Sequence, residues 1–269
     1  MPSIGARSKP RQTRGGWATV GALLLLPAAC TAGAEHATPE WSAEAFLGGA
    51  FNFRTTLSIE RSMQTTVRWD ADYHTRGLDR PLYYAFRVAR RTGDGAWGIE
   101  LVHHKLYLEN RLPEVQDFAV SHGYNLLMLG RSRNWLGVIL WGHAGVVIAH
   151  PENTVDGRPL PESGGALGTG YYLAGAAVGG SVEKRVALGE RWFAAFEAAL
   201  IACSARVPVE GGHADVPNSA LHVWVGIGRR RPRRMPTGHA QGFGYIRPRP
   251  SARGSGPRRR HPRERVNRL

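Results

Sequence analysis

The sequence predicts an all-β protein, an eight-stranded antiparallel up-and-down transmembrane β-barrel of the outer-membrane kind with a disordered basic C-terminal tail. Three observations carry that expectation. Apolar residues alternate with small or polar ones at period two over eight segments, and no long stretch has the 3.6-residue period of a helix. The connections alternate between tight turns and long loops, as when short turns line one rim of a membrane barrel and long loops the other. The chain also opens with the layout of an export signal.

The eight segments are 43–53, 83–91, 96–108, 118–131, 135–149, 171–186, 190–207 and 218–228. Tight turns are expected at Thr92–Gly95, Ser132–Asn134 and Ala187–Gly189, and long connections at 54–82, 109–117, 150–170 and 208–217. TTVRWDADYHT, residues 65–75, also reads as extended, but it is too charged for a membrane wall and belongs in the first long connection. An even strand count returns both ends of the barrel to the periplasmic rim.

Turn positions set the expected register. A hairpin closed over TGDG pairs Arg91 with Ala96, which matches Phe86 with Leu101 and Val88 with Ile99 on one face and Arg87 with Glu100 on the other. A hairpin closed over SRN aligns Met128 with Val138 and Leu126 with Leu140 outward, and Asn125 with Trp141 and Gly123 with His143 inward.

A soluble barrel would show the same alternation with its apolar face inward. Here the other face is rich in Gly175, Ala177, Gly179 and Ala195, with scattered Arg87, Glu100 and Glu197. Small residues suit the crowded interior of an eight-stranded barrel, which has little room beyond its own side chains, so the large apolar residues face lipid and a pore is disfavoured. Trp97 and Tyr107 share one face ten residues apart. That is roughly 33 Å along a strand at ~3.3 Å per residue. A tilt of about 40° reduces it to roughly 25 Å, the height of an apolar band with its girdles.

The ends distort the bulk charge. The first 34 residues carry four basic groups and no acid, and the last 41 carry 14 arginines against Glu264 alone, which leaves residues 35–228 with a net charge of −3 out of a formal +14. Residues 1–34 have a basic start, the apolar run Trp17–Ala29 and a small-residue site at Ala32–Ala34, the order of a signal peptide. Cys30 after small residues invites lipoprotein processing instead, although Pro27 departs from the usual acylation motif. With cleavage after Ala34 only Cys203 remains, and no intramolecular disulfide can form. The expected organisation is therefore a signal peptide over 1–34, a barrel over 35–228 and an Arg/Pro/Gly-rich tail over 229–269. An exported barrel meets the outer-membrane assembly machinery and lipopolysaccharide rather than nucleic acid, and a monomer is expected.

The stretch ELVHHKLYLENRLPEVQDFAVSHGYN, residues 100–125, sets His103, His104, Lys105 and His122 in otherwise membrane-grade strands. Alternation points His103 and Lys105 outward near the extracellular rim below Tyr107, puts His122 on the lipid-facing side of the next strand, and turns His104 into the lumen. Cations there meet the phosphates and sugars of lipopolysaccharide. One reading makes them interfacial anchors for anionic headgroups. The other makes His103 or His122 a general base, since imidazole titrates near neutrality. Long loops add AHPEN, with His150 and Glu152, and GHADVPN, with His213 and Asp215, as weak metal-ligand candidates.

PLYYAFR (81–87), the H-x-K-x-Y of His103, Lys105 and Tyr107, and SHGYN (121–125) resemble the lipid A oxidase family of outer-membrane barrels. The resemblance covers roughly 43–228. It implies oxidation of the proximal glucosamine of lipid A to 2-aminogluconate with dioxygen, a catalytic set of His103, Lys105, Tyr107 and His122, and phosphate binding by Lys105 and Arg111. It implies no particular cofactor. His122 departs from the usual residue of the family.

Two other classes compete. A lipid A hydrolase, or deacylase, needs a nucleophile beside a base. Ser121 and His122 are neighbours that alternation sends to opposite faces, and Ser204 is a rim-proximal serine without a companion motif. A non-catalytic structural or lipopolysaccharide-binding barrel would have its lumen plugged by Arg87, Glu100, Glu197 and Trp141. No GxGxxG, Walker loop, CxxC pair or HExxH motif occurs.

Overall fold

The computed structural model describes residues 40–231. Thirteen strands run in chain order as β1 (Glu40–Phe53), β2 (Thr55–Arg61), β3 (Val67–Ala71), β4 (Tyr73–His74), β5 (Tyr84–Thr92), β6 (Gly95–Leu108), β7 (Val115–Trp135), β8 (Val138–Ala149), β9 (Glu152–Val155), β10 (Arg158–Pro159), β11 (Tyr172–Ala187), β12 (Trp192–Val209) and β13 (Gly212–Arg230). Eight of them, β1, β5, β6, β7, β8, β11, β12 and β13, form an antiparallel meander in which each pairs with the next, and β13 pairs back onto β1 to close the ring. Closure leaves no sheet edge in the wall, the condition for strands to cross a bilayer. Residues 1–39 and 232–269, including the expected signal segment, Cys30 and most of the expected tail, lie outside the described residues.

Turns at 93–94, 136–137 and 188–191 share a rim with both ends of the barrel, and the connections 54–83, 109–114 and 150–171 share the other. The rim with short turns is periplasmic and the one with long connections extracellular. Leu47, Phe86, Val88, Ile99, Phe196, Leu200, Val223 and Val225 are exposed around the outer wall, and Trp41, Trp97, Trp135 and Trp192 ring its periplasmic end. An apolar belt bounded by an aromatic girdle makes this an outer-membrane barrel. The guanidinium of Arg131 lies 4.8 Å over Trp97 and that of Arg229 5.6 Å over Trp192, suiting the charged side of that girdle.

The first hairpin has the register expected from TGDG, with Arg91 opposite Ala96 and Arg87 opposite Glu100. The second does not. Its turn is Leu136–Gly137, with φ of 46° and 80°, and Trp135 pairs with Val138, so the turn is not Ser132–Asn134. Two successive left-handed residues match the twist of a two-residue hairpin, and a glycine in the second place removes the Cβ clash, which is why this turn wins. The odd-numbered shift inverts β7: Leu126 and Met128 are buried in the lumen, and Leu127, Leu129 and Asn125 face out. Trp141 and His143 on β8 do point inward.

The expected loop 208–217 is also corrected, because β12 and β13 continue as one long hairpin turning at Glu210–Gly211. Pro208 and Pro217 sit inside this ladder, each unable to donate one bond. The hairpin persists because Val207, Val209, Ala214 and Val216 are buried. There β13 also pairs with β2, whose Leu57 and Ile59 are fully buried. Residues 55–61, read as part of the long connection 54–82, are thus a strand instead, and its Leu57 and Ile59 share one buried cluster with Ala71 of β3, Val155 of β9 and Phe118 of β7. At the other end β13 runs to Arg230 opposite Ser42, and the amide of Arg231 donates to Trp41 O at 2.9 Å. The wall therefore includes Arg229 and Arg230, which the sequence reading placed in the tail. A chain ending at Arg231 keeps every wall pairing and is expected to migrate as a heat-modifiable band like the full chain. Truncation before Arg229, which removes the Ala43 and Ser42 pairings, is expected to reduce that band.

Inside, the periplasmic half of the lumen is ionic. Arg87 donates to Glu100 at 2.6 Å, to Glu197 at 2.7 and 2.8 Å, to Glu183 at 3.2 Å and to Glu44 at 3.4 Å, with its guanidinium 4.6 Å over Trp141. Arg185 bridges Glu183 and, at 2.8 Å, Glu44. Trp141 Nε1 donates to Glu183 at 2.8 Å. Above this layer Tyr83, His104, Tyr124, His222 and Trp224 pack together, Tyr83 stacked on Trp224 and His104 edge-on to Tyr83 and Tyr124, and Asn218 links His104 at 3.2 Å to Asn52 at 3.0 Å. These side chains fill the lumen, so the barrel is a plugged scaffold that presents its outer rim.

Candidate functional site at the extracellular rim

The candidate residues lie where β6, β7 and β8–β9 lose regular pairing. His104 pairs with Tyr124 and Leu106 with Val120, so Ser121, His122 and Gly123 together face Lys105 alone. On the other side of β7, Tyr124 pairs with Ala149 and Ala119 with Glu152. The His150 amide spans the gap by donating to Gly123 O at 3.0 Å. A bulge of this kind re-aims side chains. Gly123 takes φ 131°, a conformation L side chains rarely adopt, and a Cβ there would fall 2.1 Å from the Asn125 side chain.

The bulge overturns the alternation argument for Ser121 and His122. Their side chains share the outer side, with Ser121 Oγ 3.3 Å from His122 Nδ1. Both converge on Glu152 Oε1, Ser121 Oγ donating at 2.7 Å and His122 Nδ1 in close contact. The His150 ring lies 5.2 Å from that of His122 and 4.8 Å from Tyr171, whose hydroxyl donates to His122 O at 3.2 Å. His122 therefore reaches the outer rim as expected, although through the bulge: the inverted face of β7 would otherwise have turned it inward.

The other predicted residues are arranged differently. His103 and Lys105 are on the outward side of β6 but are covered. His103 stacks on Tyr84 at 4.9 Å and shares a 2.7 Å hydrogen bond with Asn125. Lys105 is fully buried, its ammonium donating to Arg76 O at 2.7 Å and Asp79 O at 2.9 Å. It staples the 76–79 turn over the wall and presents no free cation to a phosphate. Tyr107 is half-buried at the same rim, under the Arg76 guanidinium at 4.5 Å. Arg111 donates to Leu108 O at 3.2 Å and Gln116 O at 2.8 Å and pairs with Asp117 at 3.0 Å, which orders the 109–114 turn. Exposed ion pairs of this sort contribute little to stability.

The loop candidates separate. His150 and Glu152 join His122, whereas His213 and Asp215 stand with Glu60 in a second cluster. Asp215 there is held in a two-pronged pair by Arg206, at 2.7 and 3.0 Å, which neutralises it. Ser204 lies on the exposed outer wall opposite Ala176 and Pro217, and among the described residues no histidine or carboxylate is hydrogen-bonded to it. Sequence reasoning missed Ser121 and Tyr171 as partners of the rim cluster. SHGYN held the one available signal, a glycine after the histidine.

No protein-family model matches the chain, and no curated protein matches it. Solved structures of small outer-membrane proteins are similar in fold. AlkL, solved in lipid bilayers, is 10% identical over 76% of this chain and 96% of its own, with a TM-score of 0.43. OprG from Pseudomonas aeruginosa is 11% identical over 73% and 97%, with a TM-score of 0.40. Ail of Yersinia pestis is 10% identical over 72% and 98%, with a TM-score of 0.33.

Proposed function

We propose that the protein oxidises the reducing-end glucosamine of lipid A in the outer leaflet of the outer membrane. The observation that carries this reading is the meeting of Ser121 and His122 on Glu152, with the His150 ring beside that of His122, at the extracellular end of the outer wall, where the headgroup of lipid A lies. The plugged lumen leaves the outer face as the place for chemistry. The likeness of HHKLYL and SHGYN to lipid A oxidases supports the choice of substrate.

The substrate needs a free anomeric hydroxyl. The His122–Glu152 pair accepts its proton, the C1 hydrogen passes with its electron pair to dioxygen, and the proton held by the pair completes hydrogen peroxide, leaving the lactone. Water then opens the lactone to the acid. A second reading, acyl-ester hydrolysis, is favoured by one observation, the 3.3 Å approach of Ser121 Oγ to His122 Nδ1. Against it, the hydroxyl donates to Glu152 at 2.7 Å, and serine and carboxylate crowd the same imidazole nitrogen instead of flanking the ring.

Mass spectrometry of lipid A from cells with and without the gene tests both. Oxidation adds one oxygen to the reducing-end sugar, and hydrolysis removes an acyl chain. Unchanged lipid A of either kind would leave a structural barrel.

A further inference from the structure

We infer that His122, His150 and Glu152 form a binding site for a divalent first-row transition metal ion on the extracellular rim. One ring nitrogen from each histidine and one carboxylate oxygen all lie within 4.8 Å of one another. Cis ligands around an ion with bonds of about 2.1 Å sit about 3 Å apart, so small side-chain rotations close the set. Two imidazoles and one carboxylate on one side of an ion leave its other positions open, the donor set that suits iron and its neighbours rather than magnesium or calcium.

Three further observations favour this cluster as a site. His150 Nδ1 is shielded from solvent and has no hydrogen-bond partner among the described residues, so part of the ring's polar capacity is unused there. The backbone at Gly170 and the Tyr171 ring close over His150, and a Cβ at Gly170 would fall 2.5 Å from its Cε1. Ser121 Oγ, donating to Glu152, orients the carboxylate as an outer-shell partner does in metal sites. Among the described residues no arginine or lysine is paired with Glu152, whereas Asp215 of the Glu60–His213–Asp215 cluster is bound by Arg206. This is why the inference falls on one cluster and not the other.

The site rests on its own geometry. It deepens the proposed oxidation by giving dioxygen a place to bind, and that link alone rests on the functional reading. Titrating the full-length folded protein in detergent with Co(II) is expected to yield visible ligand-field absorption that saturates at one ion per chain. His122→Ala/His150→Ala/Glu152→Gln is expected to weaken binding by more than the 10–100-fold typical of outer-shell changes. His213→Ala should leave it intact. Heat-modifiable migration reports folding of each variant. Should the triple variant not fold, Mn(II) added to the wild-type protein is expected to broaden the His122 and His150 imidazole resonances before those of His213. Co(II) bound no more tightly by the wild type than by the folded triple variant, or lost with His213→Ala, overturns the site, as does equal Mn(II) broadening at His213. Binding requires no lipid A, so a metal-loaded barrel without oxidase activity sinks only the functional reading. Oxidation that proceeds in protein unable to bind metal sinks only the metal site.

Discussion

Replacing Arg87 with methionine is expected to abolish the folded, fast-migrating form of the barrel or to shift its urea midpoint strongly downward. Four carboxylates, Glu44, Glu100, Glu183 and Glu197, point at this one guanidinium, and all are buried. Without it Arg185 is the one arginine among the described residues that still opposes them, and it reaches only Glu44 and Glu183, with the His143 ring 3.9 Å from Glu100. Breaking a buried ion pair by removing one partner costs about 3–5 kcal/mol. That is a large share of the 5–15 kcal/mol that typically separates folded from unfolded protein.

Two companion variants test the cause. Arg87→Lys keeps the charge but loses the planar fork that serves Glu100 and Glu197 together, so it should fall between wild type and methionine. Adding Glu100→Gln and Glu197→Gln to Arg87→Met should restore part of the loss, because it removes the two carboxylates left without any arginine. An unchanged urea midpoint for Arg87→Met would show that the lumen carboxylates are protonated or solvated and that the ionic layer contributes little.

This layer also shows how far the sequence could be read. Arg87 and Glu100 are joined by a two-residue turn, so local register found them. Glu44 stands opposite Arg87 across β1–β5, and Glu183 opposite Glu197 across β11–β12. The first pairing spans a 30-residue connection whose length fixes no register, and Glu183 was passed over among small residues. The β7–β8 hairpin failed for a different reason. Ser-Arg-Asn looked like a turn by composition, but the backbone turns where two left-handed residues can follow one another, at Leu136–Gly137.

The rim cluster was legible only in pieces. His122, His150 and Glu152 were each candidates, in separate motifs. What unites them is a three-residue bulge opposite Lys105, and strict alternation argues against any such arrangement. The same bulge explains why Ser121 and His122 share a side. Lys105 shows the reverse case: its outward direction followed from parity, but its burial depends on the 76–79 turn folding over it, which no local pattern announces.

That contrast sets the remaining prediction, which presupposes the proposed oxidation. Glu152→Gln is expected to lower the rate of lipid A conversion by about 10²–10⁴-fold, the usual contribution of a positioned general base. It should leave the urea midpoint nearly unchanged, because the side chain is part-exposed and the amide can still accept from Ser121. Lys105→Met should do the opposite. It removes the donor to Arg76 O and Asp79 O in a buried setting, at a cost of about 1–3 kcal/mol for the unsatisfied carbonyls, so the midpoint falls. The folded fraction should still convert lipid A at near the wild-type rate. Conversion assayed in detergent micelles, normalised to the heat-modifiable fraction, separates the two effects. If Lys105→Met stops conversion at an unchanged midpoint while Glu152→Gln remains active, the chemistry belongs to the His103–Lys105–Tyr107 strand, and the carboxylate hub at the bulge is structural.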